Sequence, residues 1–267
     1  MIDRNVLKFW TEKEKRLEAA HLLDRVEGAF AGETGVTPFL SGSLKEWLQG
    51  LLARAGLAYI FGGGFPEPER VRLLFGPSGE ELDLAQADIT LLMLSPYDSK
   101  VRLGHRQILG SLMGLGLKRD VIGDIREGRS CFYVAVTSEI APFLVQNWNQ
   151  AGRDKIRAEV CVSEPELLPE QGEEKSLILS SPRLDAAIAG SFSLARTDAQ
   201  ELIQGGLVKR NDLTITKNDA EISPHDVLSC RGHGRIKVLT AEGSTRKGRL
   251  VYKVLVFRGK DSRKAGY

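Results

Sequence analysis

The 267-residue sequence is poor in cysteine and contains no long hydrophobic run. Cys131, Cys161 and Cys230 stand alone with no C-x-x-C pair, which excludes a thiol-rich zinc site and argues against a disulfide framework. No stretch approaches the roughly 18 apolar residues of a membrane span, so no membrane association is predicted. Four acidic residues among the first 20 argue against a secretory or transit peptide. The sequence therefore predicts a cytoplasmic protein.

Signatures of catalysis and of metal binding are missing as well. The G-x-S-x-G, H-E-x-x-H and P-loop patterns do not occur, which argues against common hydrolase, metalloprotease and nucleotide-hydrolysing classes. The four histidines have no metal-ligand spacing to one another or to the cysteines. We therefore expect no catalytic residues, no metal and no small-molecule cofactor.

Charge is unevenly distributed along a chain whose formal net charge is only +2. Residues 183–267 hold 16 Lys+Arg and nine Asp+Glu, a balance of +7, whereas the other 182 residues have a balance of −5. A basic C-terminal third on a slightly acidic body is typical of proteins that bind polyanions. Charge alone leaves open the alternative that these residues only form a solvated face.

The first 162 residues predict two successive α+β regions. Within 1–84, apolar spacing predicts helices inside 4–31 and at 43–55, and strands at 57–61 and 70–75. Within 85–162, the pattern predicts strands at 88–96, 121–127, 131–137 and 155–162, and helices at 105–119 and 138–152. This βαββαβ order is that of the ferredoxin-like fold. Because the 129–136 strand lacks most aromatics of the RNA-recognition-motif signature, we expect no base stacking on this sheet.

Residues 163–180 are rich in Glu and Pro and are predicted to be an acidic linker. A compact unit follows over 181–240, with helices predicted at 183–190 and 195–206 and short strands after them. Residues 241–267 are expected to add a final hairpin strand and a basic tail.

The third unit resembles the S-four RNA-binding domain, also called the αL fold. The matching residues are Arg183-Leu184-Asp185, Arg196, Ala199, Leu202, Ile203, Gly206, Val208, Asn211, Asp226, Val227, Arg231, Gly232, Gly234 and Arg235. Upstream, GGGFPEPER (62–70) and LGHRQILGSLMGLGLKRDVIGDI (103–125) resemble the YlmH-type S-four proteins. That family includes proteins labelled as cell-division factors and the photosystem II S-four proteins of phototrophs.

This resemblance implies an α+β chain that binds RNA (rRNA or tRNA) on the large ribosomal subunit. For some family members it implies a role in the rescue of stalled nascent chains. The chain departs from the family pattern at Gln107, at Ala195 and at Arg210 and Asp212, which flank Asn211. These departures leave the fine RNA specificity open.

Basic residues of the third unit are the candidate RNA-binding residues. They are Arg183, Arg196, Lys209, Arg210, Arg231, Arg235 and Lys237. Arg183 and Arg196 are predicted at two helix starts, where free amides and the helix dipole favour an anion, and a guanidinium adds bidentate contacts to phosphate. In the alternative interpretation, Arg183 pairs internally with Asp185 or Asp198.

A second candidate contact with RNA or the ribosome brackets the helix predicted at 105–119. It comprises His105, Arg106, Lys118 and Arg119. His105 is equally compatible with capping or packing the start of that helix.

Two other functions stay open. Arg183-Leu184-Asp185 resembles the RLD motif of pseudouridine synthases, so residues 1–162 could be the catalytic domain of an RNA-modifying enzyme. The family labels also allow an RNA-linked scaffold in cell division or photosystem assembly. A deep pocket with convergent titratable groups would favour the enzyme, and a shallow basic surface would favour binding alone.

Overall fold

The computed structural model describes residues 2–170 and 172–258. It combines helices with antiparallel sheets, which confirms the predicted α+β class. The chain forms two compact units, Met1–Pro169 and Glu170–Tyr267, here called unit 1 and unit 2. The finer division made from the sequence stays a prediction, and its basic tail lies outside the described residues from position 259 onward.

The N-terminal part of unit 1 is a small sheet with helices. Its elements are α1 (Lys13–Glu27), β1 (Gly35–Val36), β2 (Leu40–Ser41), α2 (Gly42–Ala55), β3 (Ala58–Gly62) and β4 (Arg70–Gly76), with 3-10 segments at Arg4–Phe9, Gly28–Ala31 and Leu84–Ala87. Strand β4 pairs antiparallel with β1, β2 and β3. Helix α2 buries Leu44, Leu48 and Leu52, because they recur at helical spacing on one side.

The middle part of unit 1 has the predicted ferredoxin-like arrangement. Its elements are β5 (Ile89–Pro96), α3 (His105–Gly114), β6 (Ile122–Glu127), β7 (Phe132–Thr137), α4 (Ala141–Asn147), β8 (Gln150–Ala151) and β9 (Asp154–Val160), with 3-10 segments at Arg119–Val121 and Ser138–Ile140. The sheet is antiparallel in the order β6-β7-β5-β9-β8. Apolar side chains of β5, β6 and β7 form a core with α3 and α4.

Helix α4 is shorter than the helix predicted over 138–152. It ends at Asn147, and the chain then pairs β8 with β9 in a tight hairpin. Gly152 has φ +60° in the turn of this hairpin, and glycine adopts that conformation without a steric penalty. The prediction of a helix up to residue 152 is therefore wrong at its end, because Gly152 turns a β-hairpin instead.

The other face of the middle sheet is covered by the N-terminal part of unit 1. Tyr133 and Ala135 of β7 are buried there against Phe39 and Phe65. Partly buried apolar residues, among them Leu167, pack around the same cluster. Bases have no access to Tyr133 on this face, in agreement with the expected lack of base stacking.

Polar contacts hold this packing in place. The guanidinium of Arg70 donates to the carbonyl oxygens of Phe39 and Arg119 at 3.0 Å and of Ile122 at 2.9 Å. The carboxylate of Asp124 accepts from the backbone N–H of Arg70 at 3.0 Å. Burial raises the pKa of Asp124, and the hydrogen bonds from the backbone N–H groups of Glu69 and Arg70 offset only part of this effect.

Unit 2 packs helices on one face of an antiparallel sheet. Its elements are β10 (Glu173–Leu179), α5 (Leu184–Phe192), α6 (Arg196–Gln204), β11 (Val208–Arg210), β12 (Leu213–Thr214), β13 (Val227–Cys230), β14 (Gly234–Ser244) and β15 (Leu250–Arg258). The strand order is β10-β15-β14-β13-β11-β12. Leu184, Ile188 and Ile203 of the helices share a core with Val208 and Ile236 of the strands.

The segment predicted to be a linker, 163–180, contains strand β10. This strand pairs with β15 over its full length, from Glu173 to Leu179. Leu177 and Leu179 alternate with exposed residues and are buried in the core of unit 2. The sequence does not predict β10, because its short apolar alternation lies in an acidic segment. Its partner β15 is also some 75 residues away in the chain, so no local pattern indicates the pairing.

Candidate functional site

The starts of helices α5 and α6 converge on one buried carboxylate. Arg183 Nε and Nη2 donate to the two oxygens of Asp185 at 3.1 and 2.9 Å. Arg196 Nε and Nη2 bind the same oxygens at 3.3 and 3.2 Å, and Gln200 Nε2 adds a bond of 2.9 Å. Asp185 is 0% exposed, whereas the side chains of Arg183 and Arg196 are 33% and 53% exposed. We call these residues the Asp185 clamp.

The electrostatics of the clamp favour the ionised carboxylate. Burial by itself raises the pKa of an aspartate, because it penalises the charged form. At Asp185 the hydrogen bonds from Arg183, Gln200 and Arg196 outweigh that penalty and hold its pKa well below the usual range. The hydrogen bond to Asp185 also raises the pKa of Arg183.

The internal pairing of Arg183 with Asp185, an alternative left open by the sequence, is what the structure shows. Arg196 binds the same carboxylate, because a buried carboxylate requires hydrogen-bond donors. Two arginines and one aspartate leave the clamp with a formal charge of +1. Gln200 is not among the residues predicted from the sequence. Its position four residues after Arg196 is the signal that could have found it, because this spacing puts both residues on one side of α6.

Arg210 lies close to the clamp through a shared backbone contact. Arg183 forms an isolated β-bridge with Glu221, and Arg210 Nη1 donates to the carbonyl oxygen of the same Glu221. The N–H of Leu184 donates to the carbonyl of Ala220 at 2.8 Å. The loop around residues 220–221 therefore brings Arg210 to the side of the sheet that carries α5.

Other predicted cations lie on the opposite face of the unit 2 sheet. Side chains alternate along a strand, and Ile236 of β14 faces the helices, so Arg235 and Lys237 face away from them. Arg235 and Lys237 both lie over the ring of Phe257, at 4.9 and 5.9 Å from its centroid. Lys209 of β11 alternates with the buried Val208 in the same way.

The seven predicted cations therefore do not form one surface. Lys237 Nζ binds Glu170 Oε1 at 2.6 Å with both side chains largely buried, so this lysine has a structural partner. Arg231 is exposed in the turn between β13 and β14, and its N–H donates to the carbonyl of Leu207 at 2.9 Å. The structure brings together Arg183, Arg196 and Arg210, and separates them from Lys209, Arg235 and Lys237 by the thickness of the sheet.

The second predicted cluster is divided as well. His105 and Arg106 are exposed at the start of α3, whereas Lys118 and Arg119 follow its end. The remaining eight residues of α3, 107–114, lie between the two pairs and extend over about 12 Å. Arg119 Nη1 donates to the carbonyl oxygen of Gly123 at 3.3 Å, so it contributes to the local fold. The two pairs therefore lie at opposite ends of α3, and their contact with RNA or the ribosome stays a prediction.

Asp185 is unsuited to the role of the catalytic aspartate in a pseudouridine synthase. Its carboxylate is 0% exposed and is hydrogen-bonded to three side chains. Within residues 2–170 and 172–258 no group of three His, Cys, Asp or Glu side chains could hold a metal ion. The same part of the chain has no helix long and apolar enough to cross a membrane.

Comparisons with known proteins agree with the predicted family. The family model described as "Putative RNA-binding domain in YlmH" matches residues 85–164. The ribosome-associated protein quality control protein P2 of Bacillus subtilis (strain 168) is 30% identical over 213 residues, which are 79% of this chain and 83% of that protein. The chain belongs to the YlmH family.

The solved structure of cell division protein ylmH from Streptococcus pneumoniae is similar to this YlmH-family chain with a TM-score of 0.47 and 23% identity. The match covers 57% of this chain and 93% of that chain. The matched domain of the YlmH family, residues 85–164, coincides with the ferredoxin-like part of unit 1.

Proposed function

We propose that this YlmH-family chain is a non-enzymatic, cytoplasmic RNA-binding protein that docks on structured rRNA or tRNA of the large ribosomal subunit. The family model for an RNA-binding domain supports RNA as the ligand. The name of the Bacillus relative supports association with ribosomes and a role in protein quality control. A role on stalled nascent chains follows from the family resemblance. No ligand contact in this proposal depends on a metal or a cofactor.

The Asp185 clamp is the observation that carries the proposal. A guanidinium has five N–H groups, and each arginine spends only Nε and Nη2 on Asp185. The remaining N–H groups have no partner among the described residues and lie at two helix starts, where the helix dipole attracts an anion. Asp185 fixes both side chains in advance, which lowers the entropy that they lose when they bind a phosphate.

The buried position of Asp185 favours binding over RNA modification. A catalytic aspartate must reach its substrate, whereas the carboxylate here is enclosed by Arg183, Arg196 and Gln200. The two guanidinium groups are the parts of the clamp that meet solvent. Bidentate guanidinium contacts suit the phosphates of folded RNA, which proteins recognise by shape as well as by sequence.

Co-sedimentation with purified large ribosomal subunits tests the proposal. The informative variant is Arg183→Gln/Asp185→Asn/Arg196→Gln, because removing the arginines alone would leave a buried carboxylate without partners. The matched control, Asp185→Asn, changes the same packing but keeps both guanidinium groups. We expect the triple variant to lose at least about tenfold in affinity, as expected for two phosphate contacts. The control loses only the preorganisation of the two arginines and should lose no more than about threefold. Equal binding by all three folded proteins would contradict the proposal.

A further inference from the structure

Unit 1 contains a cavity that neither the fold nor the Asp185 clamp explains. It has a volume of about 230 Å³ and lies between the loop after β5 and the turn that joins β6 to β7. All of its lining residues fall within 95–132, inside the segment 85–164 that matches the family's RNA-binding domain. The sheet face that an RNA-recognition motif uses for bases is closed here by Phe39 and Phe65. RNA contact by this domain therefore requires another surface.

The lining of the cavity combines two kinds of side chain. Arg102 lines the cavity from the loop after β5 and Arg129 from the turn between β6 and β7, and Ser95, Ser99 and Ser130 add hydroxyl groups to the same lining. Arginine and hydroxyl groups are common donors to phosphate oxygens in nucleic-acid complexes. This part of the cavity suits a phosphate.

The remaining lining is apolar. Pro96, Val101, Leu103 and Phe132 contribute to it, and Phe132 and Leu103 belong to the core of the middle domain. Apolar side chains beside charged groups suit a nucleobase, which needs contact on its faces and polar partners at its edges. Glu127 also lines the cavity, and its carboxylate can accept a hydrogen bond from the exocyclic amine of a base.

Aromatic and basic residues also lie near the cavity. Tyr97, next to the lining residue Pro96, has 71% of its surface exposed, and Lys100 in the same loop is exposed. Arg129 pairs with Glu166 at 3.7 Å, but its side chain is 82% exposed. Exposed ion pairs of this kind are weak, so Arg129 can exchange Glu166 for a phosphate. Aromatic side chains beside cations are typical of surfaces that bind single-stranded nucleic acid.

We propose that this cavity binds one unpaired nucleotide of RNA, with the base against Val101, Leu103 and Phe132 and a phosphate between Arg102 and Arg129. The inference rests on the proposed RNA-binding function and adds a site in unit 1 that the Asp185 clamp does not supply. A base paired within a duplex cannot enter the cavity. The site therefore selects single-stranded segments, loops or ends.

Fluorescence anisotropy with the full chain tests this selectivity. The probes are a labelled single-stranded RNA and a labelled duplex with the same number of phosphates. For Arg102→Ala/Arg129→Ala we expect about a tenfold loss on the single strand, where a stacked base is lost as well, and no more than about threefold on the duplex. The control Lys13→Ala/Arg54→Ala removes the same charge from exposed positions of unit 1 and should change neither affinity more than about twofold.

Equal losses of affinity for the single strand and for the duplex would overturn the proposal, because they would show that the two arginines only attract phosphates in general. So would unchanged binding by the Arg102/Arg129 variant, or no binding of either probe by the original chain. These results are distinguishable from a failure of the clamp, since the clamp variant Arg183→Gln/Asp185→Asn/Arg196→Gln keeps the cavity intact. That variant should retain the single-strand preference of the original chain.

Thiol protection locates the nucleotide directly. Ser99→Cys places a thiol in the wall of the cavity, and Ser78→Cys places one at an exposed position far from it in the sequence. Alkylation with iodoacetamide, followed by peptide mass spectrometry, should be slowed at least about threefold at position 99 by the single-stranded RNA, with no change at position 78. Equal rates at position 99 with and without RNA would refute the placement of the nucleotide.

Discussion

The middle sheet of unit 1 and the sheet of unit 2 are both antiparallel, and each carries helices on one face. Their opposite faces differ. In unit 1 that face is closed by Phe39 and Phe65, which bury Tyr133. In unit 2 it presents Arg235 and the half-buried ring of Phe257. Sheets of the same architecture therefore contribute differently, one mainly to the core and the other to a charged surface.

The same contrast applies to the cations. In unit 2 the guanidinium groups of Arg183 and Arg196 are held on the helix side by a buried carboxylate. In unit 1 the arginines of the cavity lie on exposed loops. We infer that unit 2 offers a preorganised phosphate site, whereas unit 1 offers a nucleotide site in which Arg129 is held by an exposed and therefore weak ion pair.

The largest expected effect on stability comes from removing both arginines of the Asp185 clamp. Arg183→Ala/Arg196→Ala leaves the Asp185 carboxylate buried and without its charged partners, which we expect to lower the free energy of unfolding by about 3–5 kcal/mol. The measurement is urea denaturation at neutral pH. The matched control, Lys209→Ala/Arg231→Ala, removes two exposed cations and should stay within about 0.5 kcal/mol of the original. Similar losses in both variants would show that the clamp has no special structural role.

Phe65 and Phe257 test the difference between the closed and the open sheet face. Phe65→Ala removes a ring that is 7% exposed and should lower the free energy of unfolding by about 3 kcal/mol. Phe257→Ala removes a half-buried ring and should cost about 1 kcal/mol. Chemical denaturation of the two variants gives the comparison. A cost at Phe257 equal to that at Phe65 would contradict the distinction.

Acidification should weaken the clamp within a defined pH range. The pKa of Asp185 is lower in the folded chain than in the unfolded chain, so the stability that it supplies is fully present above the unfolded pKa of about 3.9. It declines as pH falls from that value through the folded pKa, because the unfolded state then binds a proton that the folded state does not. The stability gap between the original chain and Asp185→Asn should therefore narrow below about pH 4. A gap that stays constant down to pH 2.5 would place the pKa of Asp185 elsewhere.

The smallest effect concerns the cysteines. Burial raises the pKa of Cys230 to about 11, so its thiol stays protonated and shielded at pH 8. Cys131 and Cys161 are partly exposed. We expect iodoacetamide to modify Cys131 and Cys161 in the folded chain and to modify Cys230 only after denaturation. Peptide mass spectrometry of the native protein would reveal any early modification of Cys230.

Much of the architecture follows from local sequence patterns. The helix starts at Arg183 and Arg196 agree with the predictions because apolar spacing and glycine positions define them. Strand β10 does not follow, because its alternating Leu177 and Leu179 lie in an acidic stretch and its partner is distant in sequence. The covering of the middle sheet could not be predicted either. Phe39 and Phe65 lie outside the regular apolar patterns of helices and strands, so nothing in the local sequence indicates that they pack on this sheet.

The candidate sites were less predictable than the fold. A count of charges assigns Arg183, Lys209 and Lys237 to one basic surface. Strand alternation instead turns Lys209 and Lys237 away from the helices, whereas Arg183 lies on the helix side of the sheet. Lys237 is paired with Glu170, a residue 67 positions earlier. Asp185 follows Arg183 by two residues, but only the approach of α6 brings Arg196 and Gln200 to the same carboxylate. Such convergence depends on tertiary packing and is absent from any single segment.

The salt dependence of binding to purified ribosomal RNA tests the clamp most directly. Each phosphate that a cation neutralises steepens the slope of log affinity against log salt by about 0.9. If Arg183 and Arg196 each hold a phosphate, the slope for Arg183→Gln/Asp185→Asn/Arg196→Gln should be shallower than that of the original chain by about two, while Asp185→Asn alone keeps the original slope. Identical slopes for all three proteins would contradict the assignment of the RNA backbone to the Asp185 clamp.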